Sequence, residues 1–357
     1  QPAMTVHNPK EHGAQDRSKP LVSVVMTVFN RENYVAAAAQ SILNQSLRDL
    51  ELIVVDDGST DSSPQIVADI ARQDPRVKII RQENAGLAAA RNRGAKEARG
   101  EYIAFQDDDD ESLPQRIQKQ ADALDRDPGI AAVVCKINRI GESRKFLPPS
   151  PPPVQLPVPG TSLADRFLLL SQNMMIRRKV LLALGGFRPF FRISEDTDFT
   201  LRFAERYRAT LLNDALYQYR VYNSGKGSNL ENKTPLLRWR YYCAALLSAQ
   251  RRRNGSTDPV ANGATLDEII PLCAELPADA RLRCLKMARN AGRRLLKRGE
   301  GERMAELIAL MRFLAADAPG RQAARRALRW LSWKAAFYGQ WRHAAALLAN
   351  NDFRYRF

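Results

Sequence analysis

Apolar and polar residues alternate in blocks along the first third of the chain. Residues 21–30 (LVSVVMTVFN) form a β-branched apolar run ending in polar side chains, the pattern of a strand buried on both faces that opens into a loop. Val35, Ala38, Ala39, Ile42 and Leu43 then recur at helical spacing. The segment LRDLELIVVDDGSTD predicts a second buried strand ending on two aspartates, and Ser63 to Arg72 a second helix. A third strand is expected over 77–84, a third helix in AGLAAARNRGAKEARG, and a fourth strand in EYIAFQDDDD. Strand and helix in alternation with short connections predict an α/β fold with a mostly parallel central sheet flanked by helices. Ligands of such sheets bind at the carboxyl ends of the strands. The polar clusters Thr27 to Asn30, Asp56 to Asp61 and Asp107 to Asp110 all fall there.

Beyond the fourth strand the pattern loosens. The prolines of 147–160 (LPPSPPPVQLPVPG) remove backbone donors and fix φ, which predicts a loop or extended crossing. ISEDTDFTLRFAERY reads as a helix with acidic residues at its positive N-terminal end, ATLLNDALYQYRVY as strand, and GKGSN as a flexible loop. From about Pro235 the chain is helical and rich in Ala, Leu and Arg. Two segments there, GRRLLKRGEGERMAELIALM and AFYGQWRHAAALLA, loosely resemble helical hairpins of the tetratricopeptide kind. Three regions follow: a flexible lead over 1–19, an α/β domain over 20–230, and a basic helical domain over 231–357.

Composition narrows the class. The chain has 357 residues, 45% of them hydrophobic, enough for a large core and a second module. The four cysteines show neither CxxC spacing nor a histidine partner, so a zinc site and a disulfide framework are both unsupported, and reduced core thiols in a cytoplasmic protein are expected. No secretory signal pattern precedes Pro20, and no uninterrupted apolar stretch approaches the ~20 residues of a membrane span. The net charge is +16, and residues 281–357 supply most of it with 18 Lys and Arg against 5 Asp and Glu. That asymmetry marks the C-terminal helices as the part that would meet an acidic partner. Leu282, Leu285, Ala288, Leu295 and Leu296 lie near one helical face with basic residues on others. A solvated bundle face, a dimer contact and peripheral attachment to an anionic membrane surface all fit that pattern. A basic nucleic-acid-binding factor is the competing class, but no nucleic-acid module is recognisable and the aspartate run would repel phosphates unless loaded with a cation, so no nucleic-acid partner is expected.

Four consecutive aspartates at a strand end repel one another, and a cation offsets that repulsion. Carboxylates are hard donors suited to Mg²⁺ or Mn²⁺, ions that complete their shell with substrate phosphates. The alternative is a solvated acidic turn. A second constellation, Glu195, Asp196 and Asp198, could supply a base on the far side of a reacting carbon, or could simply cap a helix.

VSVVMTVFN, ELIVVDDGSTD, NAGLAAARNRGAKEARGEYIAFQDDDD, ALGGF and SEDTDFTLR, in this order, resemble the motifs of family 2 glycosyltransferases with the GT-A fold, over about residues 20–225. The resemblance implies an inverting transferase that moves a sugar from a UDP-sugar or dTDP-sugar to a hydroxyl of a saccharide or lipid-linked saccharide, as in bacterial surface polysaccharide or lipopolysaccharide synthesis. A scaffold of the same fold without activity is the other outcome. On the same grounds Thr27, Phe29 and Asn30 would cup the nucleobase, and Asp57 would accept from a pyrimidine ring N–H. Asn84 and Arg91 would lie along the ribose and donor sugar, and Asp107 and Asp108 against the donor. Asp109, with Asp107, would hold the metal, and Asp196 would be the catalytic base. Where relatives carry YRxH, this chain reads Tyr219, Arg220, Val221, Tyr222; Tyr222 is a poor metal ligand, and Arg220 or Lys226 could face the diphosphate instead.

Overall fold

The computed structural model describes residues 19–143, 145–147, 171–222, 235–315 and 317–340. The expected lead over 1–19 lies outside the described residues, Lys19 excepted. So do nearly all of the proline-rich segment, the GKGSN loop with Lys226, and most of the second proposed hairpin.

The first four units are those the pattern predicts. Strands β1 (Val22–Val28), β2 (Leu50–Asp56), β3 (Val77–Arg81) and β4 (Tyr102–Asp107) are linked by helices α1 (Val35–Leu43), α2 (Ser63–Gln73) and α3 (Leu87–Glu97). They lie side by side in the order β3-β2-β1-β4, all parallel. Every residue of β1 and β2 is buried, because helices cover both faces. Glycine permits the closest of these contacts: a Cβ at Gly94 of α3 would run into the Val25 side chain and stand 3.1 Å from Val55 Cγ2.

Past β4 the sheet becomes mixed. β5 (Glu111–Ser112), β6 (Ala132–Gly141), β7 (Met175–Arg177) and β8 (Ala209–Val221) complete eight strands in the order β3-β2-β1-β4-β7-β6-β8-β5. β7 runs antiparallel to both β4 and β6, and β5 antiparallel to β8, while β6 and β8 are parallel. β6 and β8 therefore run in the same direction as β1 to β4, and the sheet is mostly parallel as expected, with β5 and β7 running against it. Helices α4 (Arg116–Arg126), α5 (Arg178–Ala183) and α6 (Glu195–Ala204) pack around this second half.

The C-terminal part is helical as expected: α7 (Pro235–Arg253), α8 (Leu266–Leu272), α9 (Ala278–Lys297), α10 (Met304–Leu314) and α11 (Ala318–Phe337). Apolar residues at helical spacing on α7, α9, α10 and α11 form one core, which includes Trp239, Leu285, Leu307 and Leu328. Phe191, Ile193 and Leu201, which precede α7 in sequence, belong to this core and not to the two cores on the faces of the sheet. All four cysteines are buried free thiols. Among the described residues no helix is long and apolar enough to cross a membrane.

Candidate active site

Parallel pairing sets the carboxyl ends of four strands in register. Thr27 sits opposite Asp107, Val28 opposite Asp56, and Asp56 opposite Arg81. The loops leaving this edge are stitched together by side chains that accept from backbone N–H groups. Asp56 Oδ1 accepts from Ser59 N at 2.9 Å, Ser59 Oγ from Asn30 N at 3.0 Å, and Asn30 Oδ1 from Thr60 N at 2.8 Å. Ser63 Oγ accepts from Arg31 N at 2.8 Å. Asn30 holds a positive φ of 53°, a conformation asparagine tolerates better than most residues. Thr27 is buried, while the Phe29 ring is 43% exposed at the rim, an aromatic face open to a planar ligand.

Asp57 is buried and already engaged. Its Oδ1 accepts from Gln82 Nε2 at 2.8 Å and Ala85 N at 2.9 Å, and its Oδ2 from Gly86 N at 2.9 Å. It therefore fixes the turn that carries exposed Asn84 past the strand ends. Gly58, with φ 82°, allows this turn to approach, since a Cβ there would stand 2.9 Å from Asn84 N.

The four aspartates are not equivalent. Asp108 Oδ2 accepts from Phe29 N at 3.1 Å, and its Oδ1 lies 3.3 Å from Arg31 Nε. Asp109 Oδ2 accepts from the Tyr222 hydroxyl at 2.8 Å and stands 3.5 Å from Arg31 Nε. Asp110 Oδ1 accepts from Arg220 N at 2.7 Å, whereas its Oδ2 is buried with no hydrogen-bond partner. Burial first, and the repulsion of neighbouring carboxylates second, push Asp108, Asp109 and Asp110 above the usual carboxylate range. Burial and the negative Asp109 likewise raise Tyr222, which keeps its proton and donates it.

One oxygen each of Asp107, Asp109 and Asp110 lies within 4.8 Å of the others. Three hard donors at this spacing fit a divalent cation such as Mg²⁺ or Mn²⁺, and Asp110 Oδ2, buried without a hydrogen-bond partner, leaves an acceptor unused beside them. Asp110, given no part from sequence, enters the donor set. Arg220, one of the two side chains that could face a diphosphate, is buried: its Nη2 donates to Glu111 at 2.8 Å and its Nε to the Asp109 carbonyl.

Arg91 ties the two acidic constellations together. Its guanidinium is buried over the Phe187 and Phe105 rings. Nη2 donates to Asp107 Oδ1 at 3.0 Å and Nη1 to Glu195 Oε1 at 2.9 Å. Glu195 is the first residue of α6 and Asp196 the second, so the helix bearing Asp196 is held against the end of β4. Ser194, at φ 67°, makes the turn into it. Asp196 is partly exposed, and its Oδ1 accepts from Thr197 N at 2.7 Å. Asp198 stands apart: wholly buried, it pairs with Arg188 and Arg202, a structural task. Arg31 was missed from sequence, because a single arginine after Asn30 carries no signal of a partner 77 or 78 residues away.

The strand-end acidic cluster and the helix of Asp196, joined through a buried arginine, thus stand on a mostly parallel sheet flanked by helices, as expected of a GT-A fold. The Glycosyl transferase family 2 profile matches residues 23–192. Two Bacillus subtilis proteins are similar: the uncharacterized glycosyltransferase EpsJ, 33% identical over 56% of this chain and 61% of its own, and the putative glycosyltransferase EpsE, 35% identical over 57% and 74%. The chain thus spans less than two thirds of EpsJ. The crystal structure of Staphylococcus aureus TarS 1–349 in complex with UDP superposes with a TM-score of 0.58 at 18% identity, covering 94% of each chain. The chain belongs to glycosyl transferase family 2.

Proposed function

We propose that the protein is an inverting glycosyltransferase that takes a sugar from a UDP-sugar and attaches it to a hydroxyl of a saccharide or lipid-linked saccharide. The observation that carries the reading is Arg91, which spaces the Asp107–Asp110 cluster from the helix of Asp196. TarS has been crystallised with UDP and with UDP-GlcNAc, which supports uridine as the donor's nucleoside. The exposed Phe29 ring suits its base, and the Asp57-anchored turn through Asn84 suits its ribose.

In this reading Asp196 takes the proton of the acceptor hydroxyl. The oxygen forms the new bond to the anomeric carbon as the bond from that carbon to the diphosphate oxygen breaks, and the electron pair leaves with UDP. A divalent cation held by Asp109 with Asp107 and Asp110 would supply charge neutralisation for the leaving diphosphate. Arg91 pairs with Asp107 and with Glu195 and so fixes the spacing. Asp196→Asn is expected to bind UDP as the wild type does while losing release of UDP from UDP-sugars; undiminished turnover would refute the base assignment. Chelation with EDTA is expected to abolish UDP-induced thermal stabilisation as well as turnover, since a ligand of the folded state raises its melting temperature. Peripheral attachment through the basic C-terminal helices is part of the proposal. Flotation with phosphatidylglycerol vesicles at low salt tests it, and a protein that stays unbound and elutes as a dimer would assign those helices to self-association instead.

A further inference from the structure

The helix that carries Asp196 is built into two cores at once. Its N-terminal end meets the β4 edge through Glu195 and Arg91. Leu201, one turn further on, and Phe191 and Ile193, just before it, pack into the C-terminal helical core with Leu236 and Trp239. Phe190 and Phe191 meet the Tyr241 ring of α7 at 5.7 and 6.0 Å between centroids.

A chain of six charged side chains runs along the same boundary. Asp198 accepts from Arg188 Nε and Arg202 Nε, each at 2.9 Å. Arg188 Nη1 reaches on to Asp258 Oδ2 at 2.8 Å, which also accepts from Arg252 Nη1 at 2.6 Å. Arg252 Nη2 returns to Glu205, the residue closing α6, at 2.8 Å. Three carboxylates and three guanidinia thus balance in a largely buried loop. Arg252 and Asp258 lie in the C-terminal region, the other four at or beside α6. The remaining Arg202 donors bind the Leu184 and Gly186 carbonyls at 2.7 Å, so the ALGGF turn is held as well. Arg91 holds the first turn of α6, and Phe199 and Phe203 bury its middle in the sheet core. The charge-balanced network anchors its far end, so the helix axis is held from both ends.

We propose that Asp258 and Arg252 are positioning residues for the catalytic base, so that the C-terminal helical region is a working part of the transfer site. This rests on the assignment of Asp196 above. A misplacement of about 1 Å at a reacting group costs on the order of 100-fold in rate while leaving remote binding groups untouched. The region should therefore govern turnover and not donor affinity.

The test uses the full chain, UDP release from UDP-GlcNAc with water as acceptor, and UDP binding by calorimetry in Mn²⁺. Wild-type release that Asp196→Asn cuts to a small residual rate establishes the underlying reading; a wild type silent with UDP-GlcNAc, UDP-glucose and UDP-galactose alike refutes that reading by itself. Given release, Asp258→Asn is expected to lower kcat about 10- to 100-fold with the UDP Kd within twofold of wild type. Added to Asp196→Asn, it should cost nothing further, because two residues acting through one group are not additive. Amide hydrogen exchange should quicken over 195–204 and stay unchanged over 102–107. Should Asp258→Asn fail to fold, Arg252→Gln takes its place, and Arg252→Lys, which keeps the charge, should recover most of the rate. A folded variant with wild-type kcat, an equal loss of UDP affinity, or an additive double variant would each overturn the proposal.

Discussion

At the scale of single residues, the acidic edge is a set of carboxylates with unequal partners. Arg31 approaches Asp108 and Asp109 within 3.3 and 3.5 Å, so it opposes any cation brought to that edge. Arg31→Gln is expected to tighten Mn²⁺ binding about 3- to 10-fold, read by titration of the free-ion resonance, because like charges held on opposite sides of a carboxylate and partly screened by solvent repel by on the order of 1 kcal/mol. Looser Mn²⁺ binding would show that the guanidinium supports the donor set. Acidity gives a second check. Asp109 and Asp110 are raised by burial and mutual repulsion, so as pH rises through their elevated range their ionisation costs folding stability, and a bound cation restores it. The rise in melting temperature given by Mn²⁺ should thus be large near pH 7.5 and should shrink on acidification, beginning above the ordinary carboxylate range; calorimetry at both ends measures it. The carboxylates themselves were legible in the sequence, since an acidic run after an apolar strand has few structural explanations. Their partners were not. Tyr222 meets Asp109 across 113 positions, and only the sheet brings β8 beside that edge.

Elements divide in the same way. Strands β1 to β4 and the helices between them follow from local periodicity, because each is long enough to show its period. β5 and β7, of two and three residues, carry no readable period, and the antiparallel insertion of β7 between β4 and β6 depends on tertiary pairing. Packing at this scale makes two predictions. Gly94→Ala gains about 1 kcal/mol of helix propensity but forces a methyl into Val25, and overpacking of this kind costs about 1–3 kcal/mol, so a net loss is expected in urea unfolding. Asp198→Ala removes the fully buried carboxylate shared by buried Arg202 and part-buried Arg188 and should lose about 3 kcal/mol, far more than removal of an exposed carboxylate such as Asp214.

For the whole molecule, the sequence separated a nearly neutral α/β part from a strongly basic helical one, and both exist. It drew the border at about residue 230. Phe191, Ile193 and Leu201, well before that point, pack in the second core. Amphipathic periodicity tells that a face is apolar but not which neighbour will cover it. A chain stopped at residue 230 is accordingly expected to expose this face and to elute as aggregate in size-exclusion chromatography.

The shared α6 limits how such proteins can be recombined. A chimera that keeps one relative's catalytic sheet and borrows another's C-terminal helices would join a helix face and a loop of charges that never matched. Exchange becomes workable only when the borrowed piece begins before Phe187 and carries 187–205 with it, and such a swap would transfer the reacting carboxylate together with the helices that hold it in place.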